Sequence, residues 1–228
     1  MKSTEQLFRQ MRQTRLIALL TPARIEHCIT AYEIFSPLNV TVEIALRSQP
    51  AMAGIRAVRA KYPEALLLAG TVMTAKQADA AIQAGVAGIV SADYIPEVVD
   101  RCVQGDIMCI PGGISDAGKQ LVQKARAYGC ELAEVEEKYP YQWIHKLFPA
   151  VTETVSFMGL AAAWKGPFKG LQMVYTGGIN RDNLTDVVAF DRQGIYCGSA
   201  LTKDIDHPEK VRQEAQDWLT RIHQKELR

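Results

Sequence analysis

The chain has 228 residues, of which 48% are hydrophobic and 22% charged, and its 26 Lys and Arg residues almost balance its 25 Asp and Glu residues. A net charge of +1 argues against a nucleic-acid or membrane partner, although local phosphate sites stay open. No apolar stretch approaches the roughly 18 residues of a membrane span. The polar, basic start MKSTEQLFRQMRQTR lacks the apolar core of a signal peptide, so we expect a cytoplasmic protein.

Short apolar runs alternate with amphipathic segments along the whole chain. We predict a strand in each of eight runs: Leu16–Thr21, Val40–Leu46, Leu66–Val72, Gly88–Asp93, Met108–Ile114, Ile144–Ala150, Leu171–Ile179 and Gly194–Leu201. Helices are predicted between the runs, among them residues 1–14, 74–84 with Thr74 as the cap, 180–190 with a capping asparagine, and 208–226.

Eight strands that alternate with helices predict a (β/α)₈ TIM barrel that forms a single compact domain over residues 1–228. The runs are almost continuously apolar, as expected for strands that are buried on both faces. An open doubly wound sheet is the alternative, but no G-x-G-x-x-G motif follows the first run. The segment 129–141, GCELAEVEEKYPY, is longer and more acidic than the other connections, so we predict an extended loop before the sixth strand, which could also extend a helix or form a lid.

The cysteines and histidines show no metal-binding pattern. The four histidines share no ligand spacing with one another or with the cysteines, so we expect neither a metal nor a cofactor. The odd number of cysteines and the absence of a C-x-x-C pair predict buried, reduced thiols. The cysteines are Cys28, Cys102, Cys109, Cys130 and Cys197.

One lysine lies inside a predicted buried strand, in the stretch YQWIHKLFPA. Lys146 could extend its apolar stem along the core and keep its ammonium group in water. Alternatively, burial lowers the pKa of the amine, and the neutral amine is then a nucleophile that attacks carbonyl groups. The sequence around the lysine leaves both interpretations open.

Polar residues at the carboxyl ends of other strands point to the same end of the barrel, where the active sites of such folds lie. Glu43 in VEIAL is either a structural ion-pair partner of Arg47 or Lys146, or a general acid/base with a pKa raised by burial. Arg47 follows the strand directly. Its planar guanidinium group is suited to an anion or a carboxylate, although a surface arginine is the alternative.

Two glycine-containing turns follow the seventh and eighth strands. Thr176-Gly177-Gly178 precedes a predicted helix, and Gly198-Ser199 occupies the equivalent place one strand later. Glycines allow backbone N–H groups to approach an anion, and TIM barrels often bind phosphate in these two loops. We therefore predict a phosphate site here, with tight turns that simply need glycine as the alternative.

Taken in order, these segments resemble the family of 2-keto-3-deoxy-6-phosphogluconate (KDPG) and 4-hydroxy-2-oxoglutarate (KHG) aldolases over roughly residues 12–205. The combination of a lysine two residues before Phe-Pro-Ala, an upstream E-x-x-L-R segment and a downstream TGGI is specific. The matching segments are VEIALRS (42–48), LLAGTVMTAKQADAAIQAGV (67–86), IPGGIS (110–115), KLFPA (146–150), GPF (166–168), YTGGIN (175–180) and CGSA (197–200).

The resemblance implies a homotrimeric, metal-free class I aldolase that needs no cofactor. It assigns the Schiff base to Lys146 and acid/base catalysis to Glu43. By the same resemblance, the substrate-binding residues are Arg47, Gly70, Thr71, Phe148, Pro149 and Thr176, and the phosphate-binding residues are Gly177, Gly178, Gly198 and Ser199. The implied reaction cleaves 2-keto-3-deoxy-6-phosphogluconate, or a related 4-hydroxy-2-oxo acid, to pyruvate and an aldehyde.

Two other functions stay open, because a fold alone does not determine function. A phosphosugar isomerase or epimerase could use the same barrel and the TGGI turn without an imine. A diverged barrel could bind a phosphorylated or carboxylate metabolite without turnover. The chain also departs from the family pattern near the lysine, with Val151 and Thr152 after FPA and about ten additional residues before the sixth strand. The aldehyde half of the substrate is therefore left open.

Overall fold

Every apolar run of the sequence contains a strand of the protein. The computed structural model describes residues 2–224, and all strand-to-strand pairings in its sheet are parallel. The strands are β1 (Leu16–Leu20), β2 (Thr41–Ala45), β3 (Leu67–Gly70), β4 (Gly88–Val90), β5 (Met108–Ile110), β6 (Gly112–Gly113), β7 (Ile144–Leu147), β8 (Gln172–Thr176) and β9 (Ile195–Gly198).

The sheet has the order β5-β4-β3-β2-β1-β9-β8-β7-β6 and curls into a nearly closed barrel. Its register places the polar residues of the strands among apolar neighbours: Glu43 pairs with Leu19 on one side and Leu68 on the other. Lys146 pairs with Val174 of β8 and with Gly112 of β6. The predicted TIM barrel, a single domain, is confirmed, and the open doubly wound sheet is excluded.

The barrel closes where the fifth predicted run divides at Pro111. The first half of the run, β5, pairs with β4, and the second half, β6, pairs with β7; the Lys146 N–H donates to the Pro111 carbonyl at 3.0 Å. Between β5 and the segment that precedes β7, hydrogen bonds from side chains take the place of backbone pairing. The Cys109 N–H donates to Gln142 Oε1 at 3.1 Å, and Lys124 Nζ donates to the carbonyls of Cys109 and Gln142, each at 2.8 Å.

Helices surround the barrel; most lie between strands, one precedes the first strand and one follows the last. They are α1 (Ser3–Thr14), α2 (Ile25–Phe35), α3 (Ala51–Lys61), α4 (Ala75–Gln83), α5 (Pro96–Gln104), α6 (Ala117–Tyr128), α7 (Leu132–Lys138), α8 (Met158–Lys165), α9 (Leu184–Phe190) and α10 (Pro208–His223). The cap predicted for α4 is confirmed, because the Gln77 N–H donates to Thr74 Oγ1 at 3.2 Å.

Three predicted helices differ from the described ones at their boundaries. The helix expected over 180–190 begins only at Leu184, because Asn180 Oδ1 accepts the N–H groups of Asp182 and Asn183 and folds a turn before the helix. The helix predicted over 1–14 spans Ser3–Thr14, and residue 1 lies outside the described residues. Residues 225 and 226 of the predicted last helix also lie outside them; α10 ends at His223.

The segment 129–141 is not the extended loop that we expected. It contains α7, which has a capping box: Glu131 accepts from the backbone of Glu134, and Glu134 accepts the Glu131 N–H at 2.8 Å. Val135 of this helix is fully buried. Local capping and one apolar anchor thus explain why an acidic segment folds into a helix.

The core has two layers. The outer layer lies between strands and helices, and the inner layer fills the barrel. Leu7, Phe8 and Met11 of α1 belong to the inner layer and close the end where the strands begin. Gln10 of α1 donates to Oγ1 of Thr41, the first residue of β2, at 3.3 Å. The open end is therefore the one where the strands finish.

Candidate active site

The barrel brings the lysine and the glutamate singled out in the sequence into the same interior. Lys146 is the third residue of β7 and Glu43 the third residue of β2, and their side chains are only 6% and 2% exposed. The charge of each is a principal electrostatic influence on the other. No ion pair or hydrogen bond joins them within residues 2–224, so the ion-pair interpretation of Glu43 is not supported.

Burial shifts the pKa values of both groups in the directions that favour the neutral carboxyl group and the neutral amine. Desolvation raises the pKa of Glu43, while Lys146, a hydrogen bond from Cys197 and the charge of Arg47 oppose that rise. Desolvation lowers the pKa of Lys146, with Glu43 as the main opposing influence. A carboxyl group and an amine with pKa values moved toward neutrality can exchange protons with a substrate near pH 7.

The Lys146 amine has the surroundings of a nucleophile rather than of a snorkelling surface lysine. It lies 5.3 Å from the centre of the Phe148 ring, and in the described part of the chain it has no hydrogen-bond partner of its own. Phe148 itself is exposed, so the amine lies beside a ring that reaches the surface. No hydrogen bond within the described residues therefore occupies the amine.

Two glycines provide the space that the two side chains occupy. A Cβ atom built on Gly70 would lie 2.1 Å from Glu43 Oε1, and one built on Gly112 would lie 2.6 Å from Lys146 Cε. Gly70 was a predicted substrate contact; it packs directly against Glu43. Gly112 was missed as a functional position, although the additional glycine of IPGGIS marked it.

Three further predicted residues border the mouth of the barrel. Arg47 follows β2, and its Nη2 donates to Thr21 Oγ1 at 2.8 Å, which orients the guanidinium group. Thr71 follows β3 with a φ of 54°, an uncommon conformation for a β-branched residue and one that clusters at ligand sites. Thr176 ends β8 and is buried beside Cys197. Sequence reasoning missed Thr21, although it is the last residue of the first apolar run.

The segment after β7 packs against the glycine turn after β8. The Ala150 N–H donates to the Thr176 carbonyl at 2.8 Å, and the Val151 N–H donates to the Gly177 carbonyl at 3.2 Å. The Phe148–Pro149 peptide between these elements is cis. The predicted substrate contacts of the KLFPA segment and the predicted phosphate turn thus share one edge of the mouth.

Gly177 and Gly178 adopt the left-handed conformation, with φ values of 88° and 72°. A Cβ on Gly178 would lie 2.0 Å from the Val151 carbonyl oxygen, so only glycine fits there. The Gly178 carbonyl accepts from Asn183 Nδ2 at 2.7 Å. Within the described residues, no acceptor pairs with the Gly178 N–H, which leaves a backbone donor for an anion.

In the second glycine turn, Gly198 packs against a helix outside the barrel, whereas Ser199 is exposed to solvent. Gly198 faces α10, because a Cβ there would lie 2.7 Å from the Trp218 ring. Ser199 is exposed and begins a short 3₁₀ turn over Ser199–Thr202. The side-chain direction of Gly198 therefore serves packing, so at Gly198 only the backbone is available to a ligand.

Residues 2–224 offer neither a metal cluster nor a helix fit to cross a bilayer. They contain no group of three or more His, Cys, Asp or Glu side chains arranged to hold a metal ion. None of their helices combines the length and the apolar character that crossing a bilayer requires.

Comparison with known proteins identifies the family. The family described as KDPG and KHG aldolase matches residues 7–216. A 2-dehydro-3-deoxy-phosphogluconate aldolase of Treponema pallidum is 29% identical over 195 residues, which cover 85% of this chain and 84% of the relative. A KHG/KDPG aldolase of Escherichia coli strain K12 is 26% identical over 183 residues, 80% of this chain and 77% of the relative.

A solved structure shares the fold. The KDPG aldolase of Legionella pneumophila, with pyruvate captured as a covalent carbinolamine, superposes with a TM-score of 0.69 at 20% identity, covering 95% of this chain and 96% of that one. The chain therefore belongs to the KDPG and KHG aldolase family and is a lyase, an aldolase that cleaves a keto-deoxy acid.

Proposed function

We propose that the protein is a Schiff-base aldolase that cleaves 2-keto-3-deoxy-6-phosphogluconate to pyruvate and glyceraldehyde 3-phosphate, with Lys146 as the nucleophile and Glu43 as the general acid/base. The observation that carries this proposal is the pair of buried, unbridged groups inside the barrel. Burial lowers the pKa of the Lys146 amine and raises the pKa of the Glu43 carboxyl group. Imine chemistry needs both a neutral amine and a proton shuttle.

The reaction begins at the C2 ketone of the substrate. The lone pair of Lys146 forms a bond to C2, the carbonyl oxygen takes up a proton from Glu43, and the attacking nitrogen returns a proton to the Glu43 carboxylate to give a neutral carbinolamine. Loss of water from this intermediate, with Glu43 supplying the proton that the leaving hydroxyl needs, gives an iminium ion. The carbinolamine that was captured with pyruvate in the Legionella pneumophila enzyme supports this order of steps.

Cleavage follows because the iminium ion accepts electrons. The Glu43 carboxylate removes the proton of the C4 hydroxyl group, the C3–C4 bond breaks, and its electron pair moves into the enamine. The aldehyde departs with the former C4 as its carbonyl carbon. The enamine is then protonated at C3, and water hydrolyses the resulting imine to pyruvate and free Lys146.

The mouth of the barrel supplies the binding groups. Arg47, oriented by its hydrogen bond to Thr21, offers two parallel donors to the carboxylate of the keto acid. Thr71, held at positive φ, and Thr176, buried at the end of β8, complete the proposed carboxylate site. Gly70, Phe148 and Pro149 provide the walls on either side of the two catalytic groups.

The glycine turns at the ends of β8 and β9 are the proposed phosphate site. The consecutive left-handed glycines Gly177 and Gly178, with the unpaired N–H of Gly178, resemble the backbone concavities that bind anions. The backbone at Gly198 and Ser199 lies at the end of the neighbouring strand. The phosphorylated substrate in the name of the Treponema pallidum relative agrees with this assignment.

We also propose that the enzyme is a cytoplasmic homotrimer. The proposal rests on the family resemblance and is tested by light scattering, which should give a mass three times the 25.3 kDa of the chain. A monomeric mass would contradict the trimer without affecting the chemistry of the site.

A substrate panel tests the proposed function. Pyruvate release is measured with 2-keto-3-deoxy-6-phosphogluconate, its unphosphorylated counterpart and 4-hydroxy-2-oxoglutarate, using the natural chain and Lys146→Met. We expect the phosphorylated substrate to have the highest kcat/KM and the variant to release no pyruvate. Phosphosugar isomerisation that survives in Lys146→Met would indicate an isomerase instead, and binding without turnover of any keto acid would indicate a binding protein.

A further inference from the structure

Cys197 is the cysteine that faces the barrel interior. It is the third residue of β9, is 1% exposed, and belongs to the inner layer of the core together with Ile17 and Val174. The next residue, Gly198, faces outward toward Trp218, in agreement with the alternation of a strand. The thiol therefore lies among the groups of the candidate active site, although the mechanism described above does not use it.

The thiol contacts the catalytic carboxyl group directly. Cys197 Sγ donates to Glu43 Oε2 over 3.4 Å, and the other oxygen, Oε1, faces the space that Gly70 leaves open. In the described residues no other side chain forms a hydrogen bond with this carboxyl group. The two oxygens of Glu43 are thus fixed by one donor on β9 and by one close approach on β3.

The charged and titratable groups that influence Glu43 are few. They are Lys146 on β7, Arg47 after β2 and the Cys197 thiol on β9, with the Thr176 hydroxyl beside the thiol on β8. Lys146 and Arg47 act on Glu43 only through their charge, whereas Cys197 also fixes the direction of the carboxyl group.

We propose that Cys197 is a positioning residue for the aldol reaction: its S–H group holds Glu43 in the orientation in which the carboxyl group can exchange protons with the substrate bound to Lys146. The catalytic meaning of this contact rests on the proposed function. Burial and the Glu43 charge raise the pKa of the Cys197 thiol well above its ordinary value, so the sulfur keeps its proton. It therefore acts as a neutral donor, not as a thiolate nucleophile.

Loss of the Cys197 S–H donor should change the pKa of Glu43 in a definite direction. A hydrogen bond to a carboxylate stabilises its charged form, so the Cys197 thiol keeps the pKa of Glu43 lower than burial alone would. Cys197→Ala removes the donor and should raise the pKa of Glu43 by about one unit, while Cys197→Ser restores an O–H donor and should bring the pKa back toward the natural value.

Infrared titration of the carboxyl C=O stretch measures this shift without any turnover. The Glu43 band is assigned by its loss in Glu43→Gln, and Cys28→Ala is the matched control. Cys28 is equally buried but lies in the outer layer against Gly54. We expect an upward shift in Cys197→Ala, recovery in Cys197→Ser and no shift in Cys28→Ala. An unchanged Glu43 titration in Cys197→Ala would overturn the proposal.

Steady-state kinetics add a readout that a purely structural role would not produce. We expect Cys197→Ala to lower kcat by about tenfold with little change in KM, and its pH–rate inflection that reports Glu43 to move upward with the infrared value. A lower kcat with unmoved pH dependence would mean that Cys197 serves packing alone. If the chain proves not to be a Schiff-base aldolase, the infrared result still stands or fails by itself.

Discussion

Two lysines of residues 2–224 are almost completely buried, and the difference between them shows what turns a buried amine into a nucleophile. Lys146 lies inside the barrel with a carboxyl group in the same interior and no hydrogen-bond partner within the described residues. Lys124, on α6 in the outer layer, is fully buried and donates to the carbonyls of Cys109 and Gln142. Burial lowers the pKa of both, in Lys124 to about 8.

The lesson is that a lowered pKa alone does not identify a catalytic lysine. Lys124 bridges β5 to the segment before β7, where backbone pairing between the two halves of the barrel is missing, so its donors are occupied. Lys146 has its stem packed and its amine directed to an interior that opens at the ends of the strands. Position relative to the open end, together with free hydrogen-bonding capacity, separates a structural amine from a reactive one.

Replacing each lysine by methionine is the largest expected contrast. Lys146→Met should lower kcat/KM for aldol cleavage by on the order of 10⁴-fold or more, because the variant lacks the amine that is proposed to form the imine. Lys124→Met should change kcat/KM by less than about threefold, since its amine takes no part in the chemistry. Pyruvate release by the two purified variants measures the contrast, and comparable losses in both would remove the distinction between the lysines.

Replacing Glu43 should have the next largest effect. Glu43→Gln keeps the shape of the side chain but cannot move a proton, so kcat should fall by about 10²- to 10⁴-fold. Exchange of the pyruvate methyl protons with deuterium, followed by NMR, isolates this step from aldehyde binding. Normal exchange in the variant would show that another group carries the protons.

Gly70→Ala tests the fit around the carboxyl group. The three atoms nearest to the added Cβ all belong to the Glu43 side chain, so the side chain should move aside while the backbone stays in place. We expect a loss of about 10²-fold in kcat, because small displacements of a catalytic group are that costly. Gly159→Ala, where no atom lies within 4 Å, is the control and should leave kcat unchanged. Equal activity of both variants would contradict the tight fit.

A further expected effect, on stability rather than on rate, is the pH dependence that belongs to Lys124. The pKa of Lys124 is about 8 in the folded protein and near its ordinary 10.5 in the unfolded chain. Between these values the unfolded state binds the additional proton, so stability rises with pH. Relative to Lys124→Met, the free energy of unfolding should increase by roughly 3 kcal/mol from pH 8 to pH 10.5. Denaturant titrations measure it, and a flat difference would refute the assigned shift.

Much of the architecture could be predicted from the sequence, because apolar runs of strand length alternate with amphipathic segments. The grouping of Glu43, Arg47 and Lys146 followed from one rule, that parallel strands in a barrel end on the same side. The division of the fifth run at Pro111 could not be foreseen, since it depends on which neighbour each half pairs with. Nor could the bridging role of Lys124, although its helical spacing from Leu121 placed it on the buried face.

Other details depended on local competition that composition does not reveal. The acidic segment that contains α7 folds because Glu131 and Glu134 cap it and Val135 anchors it, although its charge suggested a loop. The late start of α9 comes from Asn180, whose side chain stabilises a turn in place of a first helical turn. The contact between Cys197 and Glu43 spans 154 residues and needed the folded barrel to become visible.

The most direct test of the account is reductive trapping of the imine. The protein is incubated with pyruvate and sodium borohydride, and the site of the adduct is mapped by peptide mass spectrometry. The account predicts a single stable adduct on Lys146 in both the natural chain and Lys124→Met, and none in Lys146→Met. An adduct on Lys124, or no adduct on the natural chain while pyruvate is still released from the keto-deoxy acid, would contradict it.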